Sequence, residues 1–168
     1  MPVMITLNKI RAVSPCVAGW EKVLKAHKYL GMDTEFPLSS VLYSNNLYDT
    51  LWCFYVLPEH IEIPKRFALW CARDVQHLIT DEICINVLDV AERYLDGNAT
   101  GEELEAAVNA ANACYDAVAV AVAAAVACAV LRAAYACYAA DAAARVVYDD
   151  DDMRKRQINK LREMLDAV

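Results

Sequence analysis

From Gly101 to Val168 the chain contains neither Gly nor Pro after Gly101 itself, and 21 of the 39 residues from Ala106 to Ala144 are alanine. Alanine has the highest intrinsic helix propensity, and a stretch without breakers has no local reason to turn. Thr100-Gly101-Glu102-Glu103 stands just ahead of the tract. A Thr followed three residues later by Glu is a capping box, the strongest helix start in the chain. Alternation over Ala117 to Val122 imitates a strand, but the surrounding alanine outweighs it. Val118, Val122, Val126 and Val130 recur every four residues as a narrow seam, and the alanines between them let a second helix come close. Ala113-Cys114-Tyr115 returns as Ala136-Cys137-Tyr138, a weak internal repeat. An unbroken helix from Gly101 to Tyr148 would be about 72 Å long. The expectation is a long helix that projects and pairs with a second copy, giving a homo-oligomer. The alternative is a break at a point the sequence does not mark.

The same tract raises the question of a membrane. Ala117 to Leu131 carries no charge, but it is 15 residues long and bounded by Asp116 and Arg132. A spanning helix wants about 20 predominantly apolar residues. The run reads as a buried helix, with no membrane partner. Met1 to Val13 has no long apolar stretch, which speaks against a secretory signal, and Met4 is an alternative start.

The rest of the chain also reads as helices. Ser14-Pro15 looks like a cap and first turn, opening a helix to about Leu30 that Gly31 ends. Met4 to Ile10 is a lead-in of undecided type, and Met32 to Leu38 is a loop. Ser39 or Ser40 opens a short helix to Ser44. Asn45-Asn46 turns and caps a helix from Leu47 to Leu57, which Pro58 stops. Pro64 to Ile79 and Glu82 to Leu95 come next, the second capped by Thr80-Asp81 and ended by Asp96-Gly97-Asn98. Asp149 to Asp152 place negative charge at the start of a last helix, Met153 to Ala167, with Ile158, Leu161, Leu165 and Val168 on one face. The fold class expected is all-α. It is a single domain over residues 1–168: a short-helix bundle (4–99), a long Ala-rich helix (100–148), and an acidic turn with an amphipathic C-terminal helix (149–168).

Charge and cysteine usage narrow the function. There are 16 Lys and Arg against 23 Asp and Glu, a formal net charge of −7. Nucleic-acid binding calls for a basic footprint, so that partner is disfavoured. Arg154, Lys155, Arg156, Lys160 and Arg162 make the last helix basic, but the neighbouring aspartates partly neutralise it. The seven cysteines have no C-x-x-C spacing. Nearly all sit in apolar helical patterns, the usage of reduced, buried thiols in a cytoplasmic protein.

Two constellations could carry binding. At about 100° per residue, Arg66, Trp70, Arg73 and His77 fall within a sector of roughly 60°. Phe67, Cys71, Val75 and Leu78 make the apolar core stripe beside it. Guanidiniums fork onto phosphate or carboxylate, indole stacks on a base or cation, and imidazole adds a donor. The set suits a nucleotide-derived ligand or an acidic surface; as plain structure it is a surface ridge. Tyr48, Trp52 and Tyr55, at i, i+4 and i+7, form the second stripe beside Leu47, Leu51 and Phe54. Core packing is the simpler reading of this stripe; on a surface, Tyr and Trp are the usual anchors of binding hot spots. Trp20, Leu24 and His27 line another helix, with His27 as a structural residue. No P-loop, G-x-G-x-x-G, H-E-x-x-H or G-x-S-x-G occurs, and the three histidines lie on separate segments, so neither enzyme nor cofactor or metal protein is expected.

Several stretches together resemble a family. They are Met4-Ile5-Thr6-Leu7 with Lys9-Ile10-Arg11, Cys16 with Gly19-Trp20, and Ser44-Asn45 ahead of Leu51-Trp52-Cys53. Further on stand Trp70-Cys71-Ala72-Arg73 with Val75 and His77-Leu78, then Ala91-Glu92-Arg93-Tyr94, Gly97 and Ala99-Thr100 leading into the Ala-rich tract. Over residues 4–145 the chain resembles alanine-rich immunity proteins of phage and bacterial genomes, similar to an all-helical immunity class of toxin systems. That resemblance implies protection by stoichiometric binding of a toxin or host defence effector, and it carries over no catalytic residue. Two other functions fit the residues: a sponge that holds a nucleotide-derived immune signal in an intersubunit pocket lined by Arg66, Trp70, Arg73 and His77, and an oligomeric scaffold.

Overall fold

The computed structural model describes residues 1–112, 122, 125–126 and 151–168. Among the described residues the protein is all-α apart from one two-residue pairing. Its contacts cluster in two units: residues 1–61 with 158–168, and residues 62–157.

In the first unit, β1 (Met4–Ile5) pairs antiparallel with β2 (Phe36–Pro37), Ile5 opposite Phe36. The lead-in and the loop of the sequence reading thus meet as a short ribbon. Val3 extends it: its N–H donates to the Leu165 carbonyl at 2.9 Å and its carbonyl accepts from Leu38 N–H at 2.8 Å. Helix α1 (Leu7–Ala12) starts at Thr6, whose hydroxyl accepts from Lys9 N–H. Helix α2 (Val17–Ala26) starts at Cys16, whose thiol accepts from Gly19 N–H. The Ser14-Pro15 cap is therefore corrected. Ser14 has φ 51° and donates its N–H to Arg11 O, so it closes α1 rather than opening α2. A residue before proline is pushed out of the right-handed helical region, which suits that role.

Helices α3 (Ser39–Ser44) and α4 (Leu47–Trp52) come next, with Asn46 capping α4 through Asp49 N–H. The expected helix to Leu57 tightens to a 3₁₀ turn at Cys53–Val56, and Pro58 opens a second one, Pro58–His60. Leu47, Leu51, Phe54 and Leu57 are buried, as are Ile5, Leu7, Val23 and Leu38. His27 is structural. Its Nδ1 lies 3.0 Å from Val23 O, its Nε2 lies 2.9 Å from Ser40 Oγ, and its ring stacks on Phe36 at 4.0 Å.

In the second unit, α5 (Glu62–Val75) runs into a 3₁₀ turn, Gln76–Leu78. Helix α6 (Glu82–Leu95) has Asp81 as cap, and Gly97, at φ 75°, lies just past its end. Helix α7 (Gly101–Ala111) opens with the capping box: Thr100 Oγ1 accepts from Glu103 N–H, and Glu103 Oε2 accepts from Thr100 N–H at 2.7 Å. The α6 helix packs on both α5 and α7. Phe67, Ala68, Cys71, Ala72 and Val75 join Cys84, Val87, Leu88, Ala91 and Leu104 in a buried core. A fully buried Leu or Phe there stabilises by about 1.5–3 kcal/mol.

The last helix, α8 (Asp151–Asp166), gives its first half to this unit and its end to the other. Its buried row is Met153, Gln157, Leu161 and Leu165, whereas Val168 lies beyond the helix and is exposed. Past α7, the expected long helix lies outside the described residues, as does the Ala-Cys-Tyr repeat. Of its valine seam only Val122 and Val126 are described, and both are helical and buried. No described helix is long and apolar enough to cross a membrane.

Candidate binding faces

The two stripes read from the sequence have different fates. On α5, Arg66 and Arg73 both turn to α6. Arg66 Nη2 donates to Leu95 O at 3.1 Å and to Asp96 at 3.0 Å. Arg73 donates to Asp89 at 2.7 Å, to Glu92 at 2.6 Å and to Gln76 Oε1 at 2.7 Å. Burial works against charge on Arg73, and the two carboxylates more than offset it, so its pKa is raised. Trp70 is half-buried, its ring nearly parallel to that of Phe67 with centroids 6.4 Å apart. His77 lies in the 3₁₀ turn beyond α5 and is exposed. The change of helix type moves it off the line that a continuous helix to Ile79 would have drawn. Both guanidiniums thus act as clasps between α5 and the α6 end, each already holding carboxylate.

The unit over residues 62–157 is also where the acidity sits. It has nine Lys and Arg against sixteen Asp and Glu, while the remaining residues have seven of each. Arg93 with Glu103 and Arg156 with Asp74 add two more ion pairs to this unit.

Tyr48, Trp52 and Tyr55 are not core. Their exposures are 41%, 47% and 52%, while Leu47, Leu51 and Phe54 carry the packing. The expected burial of the stripe is thereby corrected. Within α4 the core side is taken by Leu47 and Leu51, which leaves Tyr48 and Trp52 on the opposite, exposed side. The following 3₁₀ turn eclipses side chains three apart, which sets Tyr55 over Trp52. Their ring centroids are 4.7 Å apart and tilted by 59°. Tyr43, exposed on α3, accepts a hydrogen bond from Arg162 on α8.

Beside Trp52 the same unit holds a cleft of about 350 Å³ that has no counterpart in the sequence reading. Its walls are Ile10, Val23, Val41 and Cys53; Asn45 and Asp49 line it, and Cys16 and Trp52 stand at its exposed rim. Asn45 is a hub: its side-chain amide donates to Gly19 O and to Asp49 Oδ2, both at 2.8 Å, and its oxygen accepts from Ser44 at 2.8 Å. Any side chain at Gly19 would crowd this approach. A Cβ there would lie 3.1 Å from Asp49 Oδ2, 3.3 Å from Cys16 Sγ and 3.6 Å from Asn45 Nδ2. The Cys53 thiol donates to Asp49 O, and burial, then the Asp49 charge, pushes its pKa up to about 12. These residues come from α1, α2, α3, α4 and the turns between them, with no spacing signature; the one legible hint was Asn45 and Asp49 at i, i+4 across a cap. Among the described residues no cluster of His, Cys, Asp and Glu could hold a metal ion. No family model, curated protein or solved structure matches this chain.

Proposed function

We propose that the chain acts without catalysis, neutralising a toxin or defence effector by stoichiometric contact through Tyr48, Trp52 and Tyr55. The observation that carries this reading is the exposure of all three rings beside a row that packs normally. Tyr and Trp supply large contact area and dominate binding hot spots. Grouped aromatic exposure of this kind marks interaction surface on soluble proteins. The excess acidity of residues 62–157 adds steering toward a basic partner. The resemblance to immunity proteins supplies the kind of partner, and self-association through the Ala-rich tract belongs to the same proposal.

The nucleotide sponge is the weaker reading. A phosphate at Arg66 and Arg73 would have to displace Asp96, Asp89 and Glu92 from charge-assisted bonds of 2.6–3.0 Å. Native mass spectrometry separates the readings, using protein purified gently from a host with active toxin or defence genes. The proposal expects a retained protein at fixed ratio. A retained mass of nucleotide size would favour the sponge, and a bare oligomer would favour the scaffold; either result overturns it.

A further inference from the structure

The cleft beside Trp52 has the composition of a small-molecule site rather than of a packing fault. Its volume, about 350 Å³, lies in the range of ligand pockets, which combine apolar walls with a few fixed polar groups. Ile10, Val23, Val41 and Cys53 give the apolar walls, and all four are buried. The polar group is a carboxylate. Asp49 Oδ2 is held by Asn45 Nδ2, and Asn45 is itself fixed by Gly19 O and Ser44. The carboxylate is therefore placed before any ligand arrives. Among the described residues, no Lys, Arg or His forms an ion pair with Asp49. A carboxylate accepts up to about four hydrogen bonds, so Asp49 retains capacity beyond its bond to Asn45. The half-exposed Trp52 ring stands at the mouth, and indole is the best aromatic partner for a cation. This unit carries seven acidic and seven basic residues. Removing the charge of Asp49 therefore separates its own contribution from the attraction that the chain's net negative charge exerts on any cation.

We propose that this cleft binds a small monocationic amine with an apolar body, its ammonium on Asp49 and beside the Trp52 ring, its body against Ile10, Val23 and Val41. The site shares Trp52 with the proposed protein-binding face but rests on the cavity and Asp49, not on the exposed tyrosines, so either reading can fail without the other.

The test uses the purified chain and 4-phenylbutylamine as probe, with 4-phenylbutanol and 4-phenylbutyrate as neutral and anionic matches. Binding is read by NMR shifts of the Gly19 amide and the Trp52 indole N–H. The amine should saturate those shifts and bind about tenfold or more tighter than the alcohol, the range of a charge-assisted hydrogen bond. The carboxylate should bind more weakly still. Asp49→Asn should bring the amine down to the level of the alcohol. Gly19→Ala, which crowds the Asp49 end of the cleft, should weaken amine and alcohol alike. Equal binding of amine and alcohol to the unaltered chain would overturn the proposal, and that comparison needs no variant to fold. An amine advantage that survives Asp49→Asn, or no saturable shift with any probe, would overturn it as well.

Discussion

Single residues in this chain are set apart by what surrounds them. Cys16 is exposed at the start of α2, whereas Cys53, Cys71 and Cys84 are buried. Burial, then Asp49, raises Cys53 to about 12; burial, then Asp74, raises Cys71 as well. Since the thiolate is the nucleophile, iodoacetamide at neutral pH should label Cys16 in the folded protein and leave Cys53, Cys71 and Cys84 untouched until denaturant is added. Peptide mapping reads this directly; early labelling of Cys53 or Cys71 would contradict their burial. Raised thiol pKa values also tie stability to pH. Their contribution is fully present below the ordinary thiol value of about 8.5 and is lost progressively as pH rises toward the folded values. Ser14 makes a second prediction. A non-glycine residue at φ 51° holds a left-handed backbone that is disfavoured on steric grounds. Ser14→Gly should leave stability unchanged or raise it by up to about 1 kcal/mol, since relief of strain is offset by glycine's larger unfolded entropy. A loss beyond about 1 kcal/mol in a denaturant melt would mean that the Ser14 side chain holds a contact of its own.

Elements differ in how much of them the sequence makes legible. The starts of α6 and α7 can be read to the residue because Asp81, Thr100 and Glu103 act within one turn. Capping is local chemistry, and local chemistry is visible in sequence. Ser14-Pro15 misleads for the opposite reason: the same dipeptide can open one helix or close another, and the fold of α1 decides. The aromatic stripe misleads because two apolar rows lie side by side on α4, and tertiary packing chooses Leu47 and Leu51 for the core. The cleft is invisible because Ile10, Gly19, Asn45 and Asp49 meet only through tertiary packing. The capping box gives the test at this scale. Glu103 has its pKa lowered, first by Thr100 N–H and also by Arg93. Its stabilising effect is therefore complete above the ordinary carboxylate value of about 4.3 and disappears as pH falls through the lower folded value. Amide exchange protection in the first turn of α7 should drop over that acid window, and Glu103→Gln should remove the pH dependence. A first turn equally protected on both sides of the window would refute the assignment.

At the scale of the molecule, the two units differ in chemistry. Residues 62–157 hold the excess acid and use Arg66 and Arg73 to clasp α5 to α6. The other unit is balanced in charge and exposes the aromatic rings. Fold class was legible because helix signals were dense and Gly and Pro sparse; function was less so, because exposure rather than residue type separates a hot spot from a core. The most direct measurement is calorimetry of the retained partner against the unaltered chain and against Tyr48→Ser/Tyr55→Ser, with thermal melts of both chains alongside. The double variant should melt within a few degrees of the unaltered chain and bind at least about thirtyfold more weakly, as loss of hot-spot residues does. A variant that stays folded and binds its partner as tightly as the unaltered chain would show that the aromatic face is not where the protein works.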